Sequence, residues 1–570
     1  MERYVAILQQ NPGNTDALFY IAMIAIQQNQ FAEGIRVVDR ALQVAPRQAR
    51  LHNLKGQAHL RMNQDEAALA SFGRAIEADP AFADAYGNRA TLLCEMDRAA
   101  EAIADFDHAL RLRPNNPEDH CNRAGALADL GRLNEALAGF TQAIILMPAM
   151  GPAYFNRADV LRRLGRQQDS LRDYDKMIEL YPEHPAAHSN RGLILKEMGR
   201  LDEARTAIEH ALSLDPNFAE ARVNRANVAL QQARFDDAKA EYTKVLESQP
   251  EFAEARHGLA LAELTTGYWE SGFADYEARG GLKEPAFEPL PYERWSADAP
   301  RTEPLVMLCE QGLGDMIQFS RFAPVFAERG TDVTLLAPPS MVRLLSTLKG
   351  VRVARTEDAP SDDGKTRWMP LMSAPGALGV RPDHMPGRIP YLTAEPALVE
   401  RWRQWLGSEG FTIGINWGLG ITREWFGQRR DIPLSAVSPL AGIPGVRLIS
   451  LQKGAPSQQI RAVPFGDKIE VADTDPDPAQ GNFVDTAALM MNLDLVVCCD
   501  TSLVHLAGAL ARPVFTAVPF VPDWRWLRER EDTPWYPSMR LFRQTGWSDW
   551  SDVFVRIAAA AAELASAKQR

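Results

Sequence analysis

Apolar and small positions in the first half of the chain recur at a long, even spacing. Prolines stand at 12, 46, 80, 114, 148, 182, 216 and 250, one every 34 residues. Twenty-two residues after each comes a small residue (Gly34, Ala68, Ala102, Ala136, Ser170, Ala204, Ala238, Gly272). Four further on the site is usually large: Phe72, Phe106, Phe140, Tyr174, Tyr242 and Tyr276. Residues four apart share a helical face, so the small residue lets two helices approach and the aromatic fills the space beside them. Proline cannot continue a helix and punctuates each unit. The pattern predicts eight helix–turn–helix units over about residues 1–280, stacked so that each buries its apolar face against its neighbours.

The period then stops. The stretch from Gly280 to Pro304, rich in proline and glycine, reads as a linker over 281–303. From Leu305 short apolar runs (LVMLCE, DVTLLA, FTIGINW, VRLISLQ, LDLVVCC, PVFTAV) alternate with amphipathic segments such as GDMIQFSRFAPVFAERG, VDTAALMMNL, TSLVHLAGALA and DVFVRIAAAAAELASA. Strands alternating with helices predict a parallel sheet covered on both faces. A break near Pro390–Trp405 divides the region into halves, 304–400 and 401–570. Ligands in such sheets bind at the carboxyl ends of the strands.

Composition narrows the function classes. With 46 % apolar and 24 % charged residues over 570 positions, the chain is globular rather than disordered or fibrous. A net charge of −12 weighs against nucleic acid as the partner of the whole protein, which calls for a basic face. Five scattered cysteines without a CxxC suit a reducing compartment. The start, MERYVAILQQNPGN, reads as no signal peptide, and no apolar run approaches the 18 or so residues of a membrane span. A soluble, cytoplasmic protein is expected.

Two constellations could carry chemistry. In CEQGLGDMIQFSRF (309–322), Gly312 and Gly314 permit a tight turn into a helix whose first amides can receive an anion or hydroxyl. Asp315 in that first turn is either a helix cap or a general base facing the cleft. In LDLVVCCDTSLVHLAGALARPVF (493–515), a strand ends at Asp500, Thr501 and Ser502 open a helix, and His505 follows one turn in. Hydroxyls at a helix start make a diphosphate cradle; the alternative is an ordinary junction with a core histidine. Arg423, Arg429, Arg430 and Lys453 are cations on loops, each either a phosphate ligand or a solvated charge. The DTD at 473–475 reads as an acidic loop rather than a metal motif, and no HExxH or Cys/His cluster is present. Trp524 and Trp526 could stack on a base or form a structural cluster.

The first-half pattern resembles the tetratricopeptide repeat, two antiparallel helices per unit. EQGLGD, RRDIPL, SLQKG, DTSLVHLAGAL and DWRWL followed by PWYPSMRLFRQ resemble the C-terminal domain of bacterial tetratricopeptide-repeat glycosyltransferases. That domain is similar to the ADP-heptose:lipopolysaccharide heptosyltransferases, and the domain order also resembles the O-linked N-acetylglucosamine transferases. The resemblance implies an all-α tetratricopeptide superhelix (1–280) followed by an α/β two-lobed GT-B, Rossmann-like domain, with an N-terminal lobe at 304–400 and a nucleotide-sugar-binding lobe at 401–570. It implies an inverting, metal-independent transfer that needs no cofactor, with a nucleotide-sugar as substrate. Asp315 would be the base, and Gly312, Gly314, Trp417, Arg430, Lys453, Asp500, Thr501, Ser502, Leu503 and His505 would bind the donor. The acceptor would be a protein modified on Ser or Thr, with flagellin a candidate.

The array adds a line of asparagines. Eight residues after five consecutive prolines stand Asn88, Asn122, Asn156, Asn190 and Asn224, each followed by an arginine. An amide both donates and accepts, so such a line can grip an extended peptide backbone, as the similar ladder of the acetylglucosamine transferases implies; the alternative is a bond between repeats. Two other functions stay open from sequence: a repeat scaffold whose transferase domain has lost turnover, and a transferase acting on glycan or lipid-linked sugar.

Overall fold

The computed structural model describes residues 1–282, 286–296, 303–419, 430–472, 477, 482–547 and 549–569. They divide into two compact units, Met1–Phe218 and Ala219–Arg570. The first is helical: after the helix Glu2–Gln10 come six antiparallel pairs, from Thr15–Gln27 with Phe31–Val44 to Pro185–Glu197 with Leu201–Leu214. Two further pairs, Ala219–Gln231 with Phe235–Ser248 and Ala253–Thr266 with Trp269–Tyr276, begin the second unit. The array and the compact units therefore divide at different places.

The predicted small and aromatic positions are the core of each pair. Ala68, Ala102, Ala136, Phe72, Phe106 and Phe140 are buried, as are Tyr174 and Tyr242. The approach is close: a Cβ on Gly56 would lie 2.5 Å from the Phe72 ring. A second 34-residue rhythm escaped the sequence reading. Asn29, Asn63, Asp97, Gly131, Gly165, Gly199, Ala233 and Gly267 all adopt positive φ, between 55° and 89°. Each ends the first helix of its pair, and glycine and asparagine suit that left-handed cap; Ala233 occupies it despite its Cβ.

The arginines that follow the asparagine line are paired through carboxylates sixteen residues away. Arg89 meets Asp105 at 2.6 and 2.8 Å, and Arg157 meets Asp173 at 2.7 and 2.8 Å, both within a pair. Arg123 turns back to Asp107 at 2.7 Å and Arg191 to Asp175 at 2.6 Å, both on the preceding pair. Asp105 and Asp107 share one helix, as do Asp173 and Asp175, so each of these two units supplies two carboxylates, while Arg225 takes Glu241 of its own pair at 2.5 Å. Lys55 with Asp39, at 2.5 Å, continues the backward pattern.

The second unit adds two parallel sheets. The first holds β1 (Glu293–Arg294), β2 (Leu305–Leu308), β3 (Val333–Ala337), β4 (Arg352–Arg355) and β5 (Arg367–Pro370) in the order β1-β5-β2-β3-β4. The second holds β6 (Phe411–Asn416), β7 (Val446–Ser450), β8 (Ile469–Glu470), β9 (Leu495–Cys499), β10 (Val514–Val518) and β11 (Met539–Arg543) in the order β11-β10-β9-β6-β7-β8. Read from β8, that is the strand order of a dinucleotide-binding sheet, reversing between β6 and β9. The first sheet reverses between β2 and β5. The helix Ser551–Gln569 contributes Val553, Phe554, Ile557 and Ala561 to the core beside the second sheet.

Six strands match the apolar runs of the sequence. Five do not: β4 and β11 carry charges, β5 ends in proline, and β1 and β8 are two residues long. The stretch expected to be linker supplies β1, and its Tyr292 is buried against Val306, Leu308, Leu336 and Trp368.

The ion-pair pattern predicts a measurable cost. Asp173→Asn leaves the half-buried Arg157 without its bidentate partner and should destabilise the array by about 1–3 kcal/mol. An unchanged urea midpoint would show that the pair contributes nothing.

Candidate functional site

Both reversals place loops at the carboxyl ends of their sheets, where a crevice forms. After β2, Gln311 turns with φ of 61° and Gly312 caps the helix Leu313–Phe319. After β9, Asp500 and Thr501 lead into the helix Ser502–Ala509. These helices meet at their first turns: a Cβ on Gly314 would lie 3.1 Å from His505 Cδ2 and 3.4 Å from Ser502 Cα. Glycine at 314 is what lets them come that close. At the end of β6, Asn416 Oδ1 accepts from the Thr501 hydroxyl at 3.1 Å and the Cys499 thiol at 3.3 Å. Gln452, after β7, ties the loop down by accepting from Asn416 Nδ2, Trp417 N and Gly418 N at 2.8–3.0 Å.

Five charged groups then alternate in a chain across the crevice. Asp315 Oδ2 accepts from Gly312 N at 2.9 Å, while Oδ1 pairs with Arg525 Nη2 at 2.5 Å. Arg525 also donates to Gln318 Oε1 at 2.7 Å and Asp523 Oδ1 at 2.8 Å, with its guanidinium over the Trp524 ring. Asp523 Oδ2 lies 3.3 Å from Arg430 Nη2, and Arg430 Nε lies 3.6 Å from Asp500 Oδ2. That last oxygen accepts no hydrogen bond among the described residues.

Burial sets the electrostatics. It opposes the charge on Arg525, but Asp523 and Asp315 outweigh it and hold the guanidinium firmly protonated. Burial likewise opposes the Asp523 charge, yet Arg525 and Arg430 keep that carboxyl below its usual range. For Asp500 burial prevails over the pull of Arg430 and raises the carboxyl. Arg430 keeps 30 % of its side chain exposed and Arg525 only 8 %. With its longer contacts, Arg430 is the arginine better able to exchange partners.

Of the residues singled out from sequence, Gly312, Gly314, Asp315, Arg430, Asp500, Thr501 and Ser502 come together here. Leu503 is buried behind the helix start. Lys453 lies on the loop after β7 and pairs at 2.9 Å with Asp477, which accepts from the amides of Asp485 and Thr486. Trp417 departs from the donor-contact expectation: its ring is fully buried in the core beside the second sheet, with Nε1 donating to Pro456 O at 3.2 Å. His505 is an interior histidine. Burial, with Arg525 nearby, pushes its imidazole down to about 3, and it stacks on Trp526 with Nδ1 3.2 Å from the Tyr536 hydroxyl. Trp524 and Trp526 are likewise interior rings and not stacking platforms. Arg423, Arg429 and the DTD at 473–475 lie outside the described residues.

The asparagine line is not uniform. Asn88 donates to Asn53 Oδ1 at 2.9 Å, a bond to the previous pair, and Asn190 faces the Tyr174 hydroxyl at 3.3 Å. Asn224 is half-buried, while Asn122 and Asn156 are exposed. Sequence reasoning missed Asp523, Arg525 and Gln452. The signal for the first two was the DWRWL segment, which sets Asp523 and Arg525 on either side of Trp524.

The family models bear on the helical half. Three family models, each described as tetratricopeptide repeat, match residues 1–58 and 195–264, 53–117 and 121–185, and 173–206. Protein FlbA of Caulobacter vibrioides is 28 % identical over 331 residues, 54 % of this chain and 54 % of that protein, so the chain spans about half the length of this curated relative. Among solved structures, a tetratricopeptide repeat protein from Parabacteroides merdae is 20 % identical, with a TM-score of 0.38 over 42 % of this chain and 94 % of its own. The Cut9–Hcn1 assembly of APC/C gives 18 % identity and a TM-score of 0.38 over 45 % of this chain and 51 % of that one. The paired helices of the first half are an array of tetratricopeptide repeats.

Proposed function

We propose that the second unit carries a two-lobed GT-B glycosyltransferase that moves a sugar from a nucleotide donor to a protein acceptor recruited by the repeats. The observation that carries this reading is the meeting of two strand-order reversals at one charged crevice: an aspartate from the first sheet faces a helix start and two arginines from the second. A nucleotide diphosphate needs a seat for negative charge. The first turn of Ser502–Ala509 offers amides and the Ser502 hydroxyl, and Arg430 can leave Asp523 and Asp500 for a phosphate oxygen. As the glycosidic bond breaks, charge grows on the leaving phosphate, and fixed donors there favour the transition state. Asp315 would take the acceptor hydroxyl's proton or orient that hydroxyl. The reading also draws on the sequence resemblance, and it extends to inverting, metal-independent transfer to Ser or Thr, with a bacterial surface protein such as flagellin as acceptor.

A second reading has one observation in its favour. Asp315 is already engaged by Arg525 and by its own cap, as in a scaffold that binds a nucleotide-sugar without turning it over. Asp315→Asn separates the two. As base, its loss should lower transfer by roughly 10²–10⁴-fold while donor affinity by calorimetry stays near wild type. A variant that transfers at the wild-type rate removes Asp315 from the chemistry; a wild-type chain that binds donors but modifies no protein by mass spectrometry favours the scaffold.

The acceptor side generates its own prediction. Asn122 and Asn156 are the exposed members of the line, so the double change to alanine removes two amides able to bind peptide backbone. At about 0.5–1.5 kcal/mol per hydrogen bond, acceptor affinity should fall by roughly 5–150-fold with the melting temperature unchanged. Unaltered affinity would take the peptide groove away from these positions.

A further inference from the structure

The final repeat pair reaches the crevice from behind, at residues that adjoin both Asp315 and Arg525. On one side, Gln311 Nε2 donates to the Tyr276 hydroxyl at 3.0 Å, and Gln311 is the left-handed residue immediately before Gly312 and the helix of Asp315. The neighbouring Glu310 is buried against Arg279 at 2.8 and 3.0 Å, and its Oε1 also accepts from Met372 N at 3.0 Å. On the other side, Trp524 packs against Phe273 and Tyr276, with ring centroids 5.7 and 6.1 Å apart, while Arg525 lies over the Trp524 ring. Trp269 stacks on Trp535 at 5.2 Å, and Trp535 Nε1 donates to Arg525 O at 2.9 Å. Burial pushes the Tyr276 phenol up to about 12, so it remains a neutral hydroxyl throughout the physiological range.

We propose that the last repeat is a working part of the site, with Tyr276 as a positioning residue that holds the Gln311–Asp315 turn against Arg525 through its hydroxyl bond to Gln311. A left-handed glutamine is not a favoured turn residue, and a side-chain bond from outside the loop can keep it there. The ring and the hydroxyl have separate duties: the ring supports Trp524, and the hydroxyl sets the loop. The proposal rests on the transferase reading for its effect on rate, but not for the loop's position.

Tyr276→Phe in the full-length protein keeps the ring and removes only the hydroxyl. Amide hydrogen exchange across 311–316 should quicken by about tenfold, and kcat should fall by about tenfold or more, since small misplacements of a reacting group slow transfer steeply. The KM for donor should hold. Gln311→Ala removes the same bond from the other end and should reproduce both effects, which keeps the test informative if one variant folds poorly. Unchanged exchange in both variants overturns the proposal, as does faster exchange with unchanged kcat. If the wild-type protein transfers no sugar at all, the functional reading fails on its own, and the exchange measurement still decides whether Tyr276 holds the loop.

Discussion

A guanidinium cannot be buried alone, and Arg525 is almost wholly buried. Removing such a charge from water carries a penalty of several kcal/mol unless partners surround it. Its partners come from two directions: Asp315 and Gln318 on the helix after β2, and Asp523 within its own turn after β10. Neutralising one cation therefore brings segments of both sheets into a single register. Once they are there, the first turns of Leu313–Phe319 and Ser502–Ala509 must meet, and Gly314 is the residue that permits it. Asp523 passes the constraint on to Arg430, which reaches Asp500.

A second buried guanidinium does the equivalent work behind the crevice. Arg279 is fully buried, and it engages Glu310, Glu277, Ser373 and the Tyr276 carbonyl. The last repeat is thus bound to the loop after β2 by charge and to Trp524 and Trp535 by aromatic packing, all within the second compact unit. Charge organises the rest of the array differently. Two carboxylates on one helix make each such unit a partner both to itself and to its successor. The structural repeat is 34 residues, while the two-acid units with Asp105/Asp107 and Asp173/Asp175 stand two repeats apart.

Much of the fold was legible in the chain because its signals are local and repeated. The proline, the small residue and the aromatic recur often enough to mark every pair, and the long apolar runs Leu305–Leu308, Phe411–Asn416 and Leu495–Cys499 are strands buried on both faces. The edge strand β1 was hidden in a proline-rich stretch, because two residues of pairing leave no periodicity to read. The candidate site was half legible. Gly312, Gly314, Asp315, Thr501 and Ser502 lie at strand-to-helix junctions, whose turn chemistry is written locally.

What a residue does at such a junction depends on neighbours far away in sequence. Local pattern alone marks His505 as a group near a helix start; Trp526 and Tyr536 close around it and make it a neutral interior ring. Asp315 and Arg525 are 210 positions apart, and Tyr276 lies 35 before Gln311, so neither pairing leaves a mark on the pattern of either segment. The sequence by itself determined the repeats, the alternating strands and helices, and the glycine turns, because hydrophobic period and backbone preference act within a few residues. Only the tertiary structure decided which charges neutralise one another, because desolvation depends on everything packed around a group and not on the residues beside it in the chain.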